Sequence, residues 1–160
     1  MNTSLSPNYV PAGCGPFADL GDHRAWVKVA AEQTDGALLI SETHADFGGG
    51  VPPHIHHKED ETFYILGGRF EFEVGDQTIE VGPGDTVFGP RGVRHTWRCI
   101  NPEGGRLIIV FTPGANFQAF ALAMVQAQAC PQADMGNADA IAAFVALAAR
   151  HGIEMLPLGK

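Results

Sequence analysis

The sequence predicts an all-β sandwich or barrel followed by two C-terminal α-helices. Two observations carry the β half. Apolar and polar residues alternate in short runs up to Thr112, and glycine- or proline-containing turns close those runs at regular intervals. Such punctuation is how a sandwich or barrel reads. A third observation carries the helices: after Pro113 the chain becomes alanine-rich, with apolar residues at helical spacing. The 160 residues suffice for one domain with a real core and are too few for two comfortable ones. We expect an N-terminal arm over residues 1–22, a barrel over 23–113, and a helical extension over 114–160 packed on the barrel.

Met1 to Pro16 is rich in Ser, Asn, Pro and Gly and reads as an irregular arm free to pack on a neighbour. Arg24 to Ala31 alternates weakly, Asp35-Gly36 is a turn, and Ala37 to Thr43 is a second strand. Thr62 to Leu66 is a strand headed by Glu61; Phe63 and Ile65 share the face of Glu61 while Tyr64 points away. Gly67-Gly68 turns the chain into Arg69 to Val74, where Phe70, Phe72 and Val74 form a buried face and Arg69, Glu71 and Glu73 a wet one. Gly75-Asp76 is a hairpin turn returning through Gln77 to Val81. The remaining strands are Thr86 to Phe88, His95 to Ile100 and Arg106 to Thr112. In the first helix, Asn116 to Ala129, one face carries Phe117, Phe120, Met124 and Gln128. In the second, Asn137 to His151, one face carries Ile141, Phe144, Val145 and Ala148, with Asn137 as N-cap and Gly152 as stop. Amphipathic helices of this kind need an apolar surface to cover.

The chemistry gathers after Gly48-Gly49-Gly50, in the run His54-Ile55-His56-His57-Lys58-Glu59-Asp60-Glu61. Side chains two apart on a strand share a face, so His54 and His56 reach one point in space. Ile55 and His57 face away. Glu59 and Asp60 read as solvated residues of a connection. If the chain folds back there, Glu61 meets the two histidines, and imidazole plus carboxylate with open positions suits a catalytic divalent metal.

Two spaced motifs resemble those of the cupins. Gly48, His54, His56, Glu61 and Gly68 fit the first, and Gly84, Pro90, Gly92 and His95 fit the second. Where the second motif carries Asn, this chain has Cys99. The resemblance implies a double-stranded β-helix (jelly-roll) barrel holding one divalent transition metal on His54, His56, Glu61 and His95. The ligand types suit Fe, Mn, Ni, Co, Cu or Zn without choosing among them. Together with the helical tail ending in Arg150-His151-Gly152-Ile153-Glu154, the motifs resemble small single-domain cupins of the quercetin-dioxygenase-like group, which implies a homodimer.

By alternation Trp97 and Cys99 share the inward face of His95. With Phe63, Ile65, Phe70 and Phe72 they would line an apolar substrate pocket. The leading expectation is a metal-dependent dioxygenase acting on a small aromatic or enol substrate, with Glu61 as ligand or as catalytic base. The alternatives are a non-redox isomerase or cyclase of a sugar or polyketide, and a small-ligand-binding protein without turnover. A net charge of −8 argues against nucleic acid and against an anionic membrane surface. Arg91, Arg94, Arg98 and Arg106 are a local basic cluster, read as solvated loop charge or as steering for an anionic substrate. Cys14, Cys99 and Cys130 make no disulfide framework and fit a reducing cytoplasm. No signal peptide or membrane span is expected.

Overall fold

The structure, a computed structural model, describes residues 6–127 and 137–157. Cys130 and the expected helix positions Gln128 and Ala129 lie outside those residues. In chain order the elements are β1 (Phe17–Asp19), β2 (His23–Val29), a 3-10 turn (Ala31–Thr34), β3 (Leu39–Ala45), β4 (Gly50–His56), β5 (Asp60–Gly67), β6 (Phe70–Val74), β7 (Gln77–Val81), β8 (Thr86–Gly89), β9 (His95–Cys99), β10 (Gly105–Thr112), α1 (Ala115–Ala127), α2 (Ala138–Arg150) and β11 (Ile153–Met155). Two antiparallel sheets face each other. One has the order β1-β2-β3-β10-β5-β8 and the other β11-β4-β9-β6-β7. Among the described residues, no helix is long and apolar enough to cross a membrane.

Alternation places the core between the sheets. Phe63 and Ile65 of β5, Phe70 and Phe72 of β6, Trp97 and Cys99 of β9, and Leu107 and Ile109 of β10 are buried there. Burying such a side chain is worth about 1.5–3 kcal/mol. Tyr64, between Phe63 and Ile65, is exposed as its parity requires. Gly50 has to be glycine, because a Cβ there would stand 2.0 Å from the Trp97 carbonyl oxygen of the neighbouring strand.

Two local readings are corrected, and one element is added. Phe17–Asp19, within the segment read as arm, pairs with β2 through Phe17↔Trp26 and Asp19↔Arg24. Residues before it are fastened to the same chain: Lys28 Nζ donates to the carbonyls of Pro11 (2.7 Å) and Cys14 (3.1 Å). β11 had no signal, since three residues after a helix stop are too short for a period; it pairs with β4 through Ile153↔His56 and Met155↔His54. On α2 the buried side is Phe144, Leu147 and Ala148, while Ile141 and Val145 are exposed. An alanine-rich helix carries only a weak stripe, and packing on Ile153 and Phe120 selects the side that is buried. Asn137 does cap α2, accepting from the backbone N–H groups of Asp139 and Ala140.

The basic cluster is neutralised residue by residue. Arg94 pairs with Glu73, Arg98 with Glu71, and Arg106 lies near Glu42. Arg91 clasps Asp60 through two side-chain bonds (2.8 and 3.1 Å) and one backbone bond (2.9 Å). That clasp ties the turn before β9 to the start of β5. It also holds the Asp60 carboxyl down at about 2, from 3.8. A depressed carboxylate stabilises the fold in full above its unfolded value, and the contribution is lost as pH falls through the folded one. Asp60→Asn is therefore expected to lower Tm at neutral pH by a few degrees. The difference from wild type should shrink between pH 4 and pH 2, as measured by thermal melts across that range.

Candidate metal centre

The centre is assembled from both sheets. His54 and His56 project inward from β4, and His95 opens β9 directly opposite His54. Glu61 comes from β5 of the other sheet. Pro52 and Pro53 interrupt the β4–β9 ladder, whose register shifts between Val51 and His54. Gly92, in the left-handed region at φ +79°, shapes the turn before His95, and its N–H donates to the His56 carbonyl at 2.7 Å.

One ligating atom from each of His54, His56, Glu61 and His95 lies within 4.8 Å of all the others, and all four residues are buried. Glu61 Oε2 is 3.6 Å from His56 Nε2 and 3.9 Å from His54 Nε2, and it meets His95 Nε2 in a short contact. Every ring is oriented from behind. The Nδ1–H of His54 donates to the Pro52 carbonyl (2.8 Å), that of His95 to the Val93 carbonyl (3.1 Å), and that of His56 to Glu59 Oε2 (3.1 Å). Anchoring Nδ1 turns the Nε2 atoms of all three rings to the common point, the arrangement of imidazoles that hold a metal.

Burial works against charge here, and the neighbours decide the outcome. Desolvation would raise the Glu61 carboxyl, yet the three imidazoles around it, His56 foremost, hold it down to about 2. Burial pushes His54 down to about 3, offset only in part by Glu61. Burial would also lower His95, but its hydrogen bond to Glu61 and the charge of that carboxylate outweigh the loss and raise it. Among His54 and His95, His95 is thus the one that holds a proton first on acidification.

Glu59, read as solvated, is instead fully buried. It accepts from His56 and, on its other oxygen, from Asn116 at the start of α1; Asn116 also donates to the His151 carbonyl at 2.7 Å. A buried carboxylate behind a histidine fixes ring and tautomer together. No sequence period could announce it, because its second partner is 57 residues away. His57 lies outside the cluster, half-exposed and paired with Glu154 at 2.9 Å.

A cavity of about 370 Å³ adjoins the centre. His54, His56 and Glu61 form part of its wall, and the rest is largely carbon from Leu39, Trp97, Ile109, Phe111, Phe117 and Met124. Phe117 of α1 stacks on Phe111 with ring centroids 3.5 Å apart, so the helices close this space. Of the expected pocket residues only Trp97 lines it. Phe63, Ile65, Phe70, Phe72 and Cys99 do not, because they are packed against one another in the core between the sheets. Cys99, standing where the resemblance expects Asn, is fully buried. Its Sγ–H points to the Asn101 carbonyl at 3.8 Å, and burial raises its thiol pKa.

The cupin domain family model matches residues 43–111. The chain is 27% identical over 108 residues to quercetin 2,3-dioxygenase of Bacillus subtilis (strain 168), covering 68% of this chain and 32% of that enzyme, so it spans about a third of that relative's length. It is 37% identical over 87 residues to an uncharacterized protein of Streptomyces coelicolor, covering 49% of this chain and 82% of that one. KdgF from Halomonas sp. shares the fold at a TM-score of 0.60 and 20% identity, over 68% of this chain and 94% of that one.

His95→Ala is expected to abolish or strongly reduce metal content, while His57→Ala keeps it. Elemental analysis of both variants, purified without an affinity tag, checks the pair. Glu59→Gln should weaken metal binding about 10–100-fold, the usual cost of losing a partner behind a histidine ligand. A competition titration against a chelator reads that loss, and an unchanged affinity would reduce Glu59 to a packing role.

Proposed function

The chain belongs to the cupin superfamily, and we propose that it is a metal-dependent dioxygenase acting on a small, mostly apolar aromatic or enol molecule. One observation carries the reading: a three-histidine, one-carboxylate cluster opens onto a cavity walled mainly by carbon. The donor set fits a divalent transition metal, since mixed imidazole and carboxylate suit Fe, Mn, Ni, Co, Cu or Zn. Such an ion supplies Lewis acidity to a substrate oxygen and, when redox-active, electron exchange with O2.

The chain's own residues do the rest. His54, His56 and His95 would hold the ion, their rings fixed through Nδ1 by Pro52, Glu59 and Val93. Glu61 is ionised among the imidazoles. It completes the ligand set or, turned towards the cavity it lines, takes the proton from a substrate hydroxyl. Phe111, Phe117 and Trp97 wall the cavity with aromatic carbon and keep water from the reacting atoms. Such walls offer few partners to a sugar, which weighs against an isomerase of that class. The likeness to quercetin 2,3-dioxygenase supports the oxygenase reading over the others. A homodimer, implied by the resemblance to small single-domain cupins, and a cytoplasmic location, suggested by the scattered cysteines, belong to the same proposal.

Oxygen uptake with a panel of flavonols and catechols tests the reading on metal-loaded protein. Glu61→Gln should lower metal affinity and reduce turnover by about 10²–10⁴-fold. Wild-type uptake in that variant with metal retained would remove Glu61 from the mechanism. Absence of uptake with every substrate by metal-loaded wild type would overturn the oxygenase reading.

A further inference from the structure

We infer that the cavity has a second polar pole, formed by His23 with Ser41 and Thr43, which selects ligands bearing a hydroxyl or carbonyl group on the part remote from the metal centre. The pole rests on the geometry below. Only its role in choosing a substrate depends on the function proposed above.

His23, Ser41 and Thr43 all line the cavity and are 4%, 7% and 2% exposed. They form a stripe running away from the metal centre. Glu61 pairs with Phe111 of β10, and Phe111 pairs in turn with Leu39 of β3. Ser41 and Thr43 are the next two inward positions of β3. Ala25 of β2 faces Thr43, and His23 is the next inward position beyond it. On the opposite sheet Trp97 lies two residues past His95, about 7 Å along β9. The edge-on contact of its ring with His23, centroids 5.5 Å apart, carries the wall to the same place.

These groups are polar, buried and unmatched. His23 Nδ1–H donates to Asp22 Oδ1 at 2.7 Å, and Asp22 Oδ2 accepts from the Gly50 N–H at 3.3 Å, at the head of the strand that carries His54 and His56. The dyad fixes the tautomer, leaving His23 Nε2 as an acceptor on the side of the ring away from Asp22. Among the described residues, neither that nitrogen nor the hydroxyls of Ser41 and Thr43 has a hydrogen-bond partner. Leaving such groups unsatisfied in an apolar wall is costly. Grouped along one wall, they offer a ligand one acceptor and two donor-acceptors, beside the ring of Trp97. The class that fits is a planar molecule with an apolar body and oxygen substituents at both ends.

The probes are 2-naphthol and its methyl isostere 2-methylnaphthalene. Each is titrated by calorimetry into the full chain as purified with its metal, and the ring nitrogens of His23 are followed by ¹⁵N NMR. The expected result is a preference of about five- to tenfold for 2-naphthol, the worth of one added hydrogen bond, with a shift of the His23 Nε2 resonance on binding. In His23→Phe that preference should fall to near unity with metal content unchanged. The isosteric Thr43→Val should reduce it, and the NMR measurement on wild type stands if His23→Phe does not fold. The pole is overturned by failure of 2-naphthol to bind, by absence of a preference, by an unmoved His23 resonance, or by a preference that survives His23→Phe. Protein that loads no metal yet prefers 2-naphthol through His23 keeps the pole and loses the oxygenase reading. Metal-loaded, oxygen-consuming protein whose preference survives His23→Phe loses the pole alone.

Discussion

A carboxylate from one sheet stands among three imidazoles from the other, and the barrel is closed around that contact. Glu61 is carried by β5 of the six-stranded sheet; His54, His56 and His95 are carried by β4 and β9 of the five-stranded sheet. Four ionisable groups buried together would be a liability in a plain hydrophobic core. Here their shared geometry turns the liability into a ligand set. The aromatic core, with Phe63, Phe70 and Phe72, packs between the same two sheets and holds them at the separation the cluster needs.

The helices depend on that cluster as much as they cover it. Asn116 at the start of α1 reaches Glu59, and Glu59 orients His56. The same asparagine binds the carbonyl of His151, at the end of α2. One side chain thus joins the helical extension to the ligand set, and the Phe117–Phe111 stack closes the cavity beside it. A displacement of α1 would be felt at the ring of His56 before it reached any other ligand.

Charge is managed locally across the molecule. The arginines near the second motif are matched by nearby carboxylates. With no uncompensated positive patch among these arginines, steering of an anion into the cavity has little support, and the cavity wall itself is mainly carbon. Selection of a ligand then falls to shape, to the metal centre and to the few polar groups inside.

Short-range order was legible in the sequence, because the residues that encode it are contiguous. A period of two placed His54 with His56, Phe63 and Ile65 with Glu61, and Trp97 and Cys99 with His95, and glycine turns marked where the strands end. Motif spacing joined the two halves of the ligand set before any register was known. Tertiary structure alone decided which inward residues pack the core and which line a cavity, since alternation assigns a face but no depth: Trp97 reaches the cavity, while Phe63, Ile65, Phe70, Phe72 and Cys99 do not. It also decided that Glu59 is buried, that β11 finishes a sheet and that His23 faces the cavity. In each of these cases the deciding partner lies far along the chain, and only the register of paired strands and the seating of a helix bring the two together.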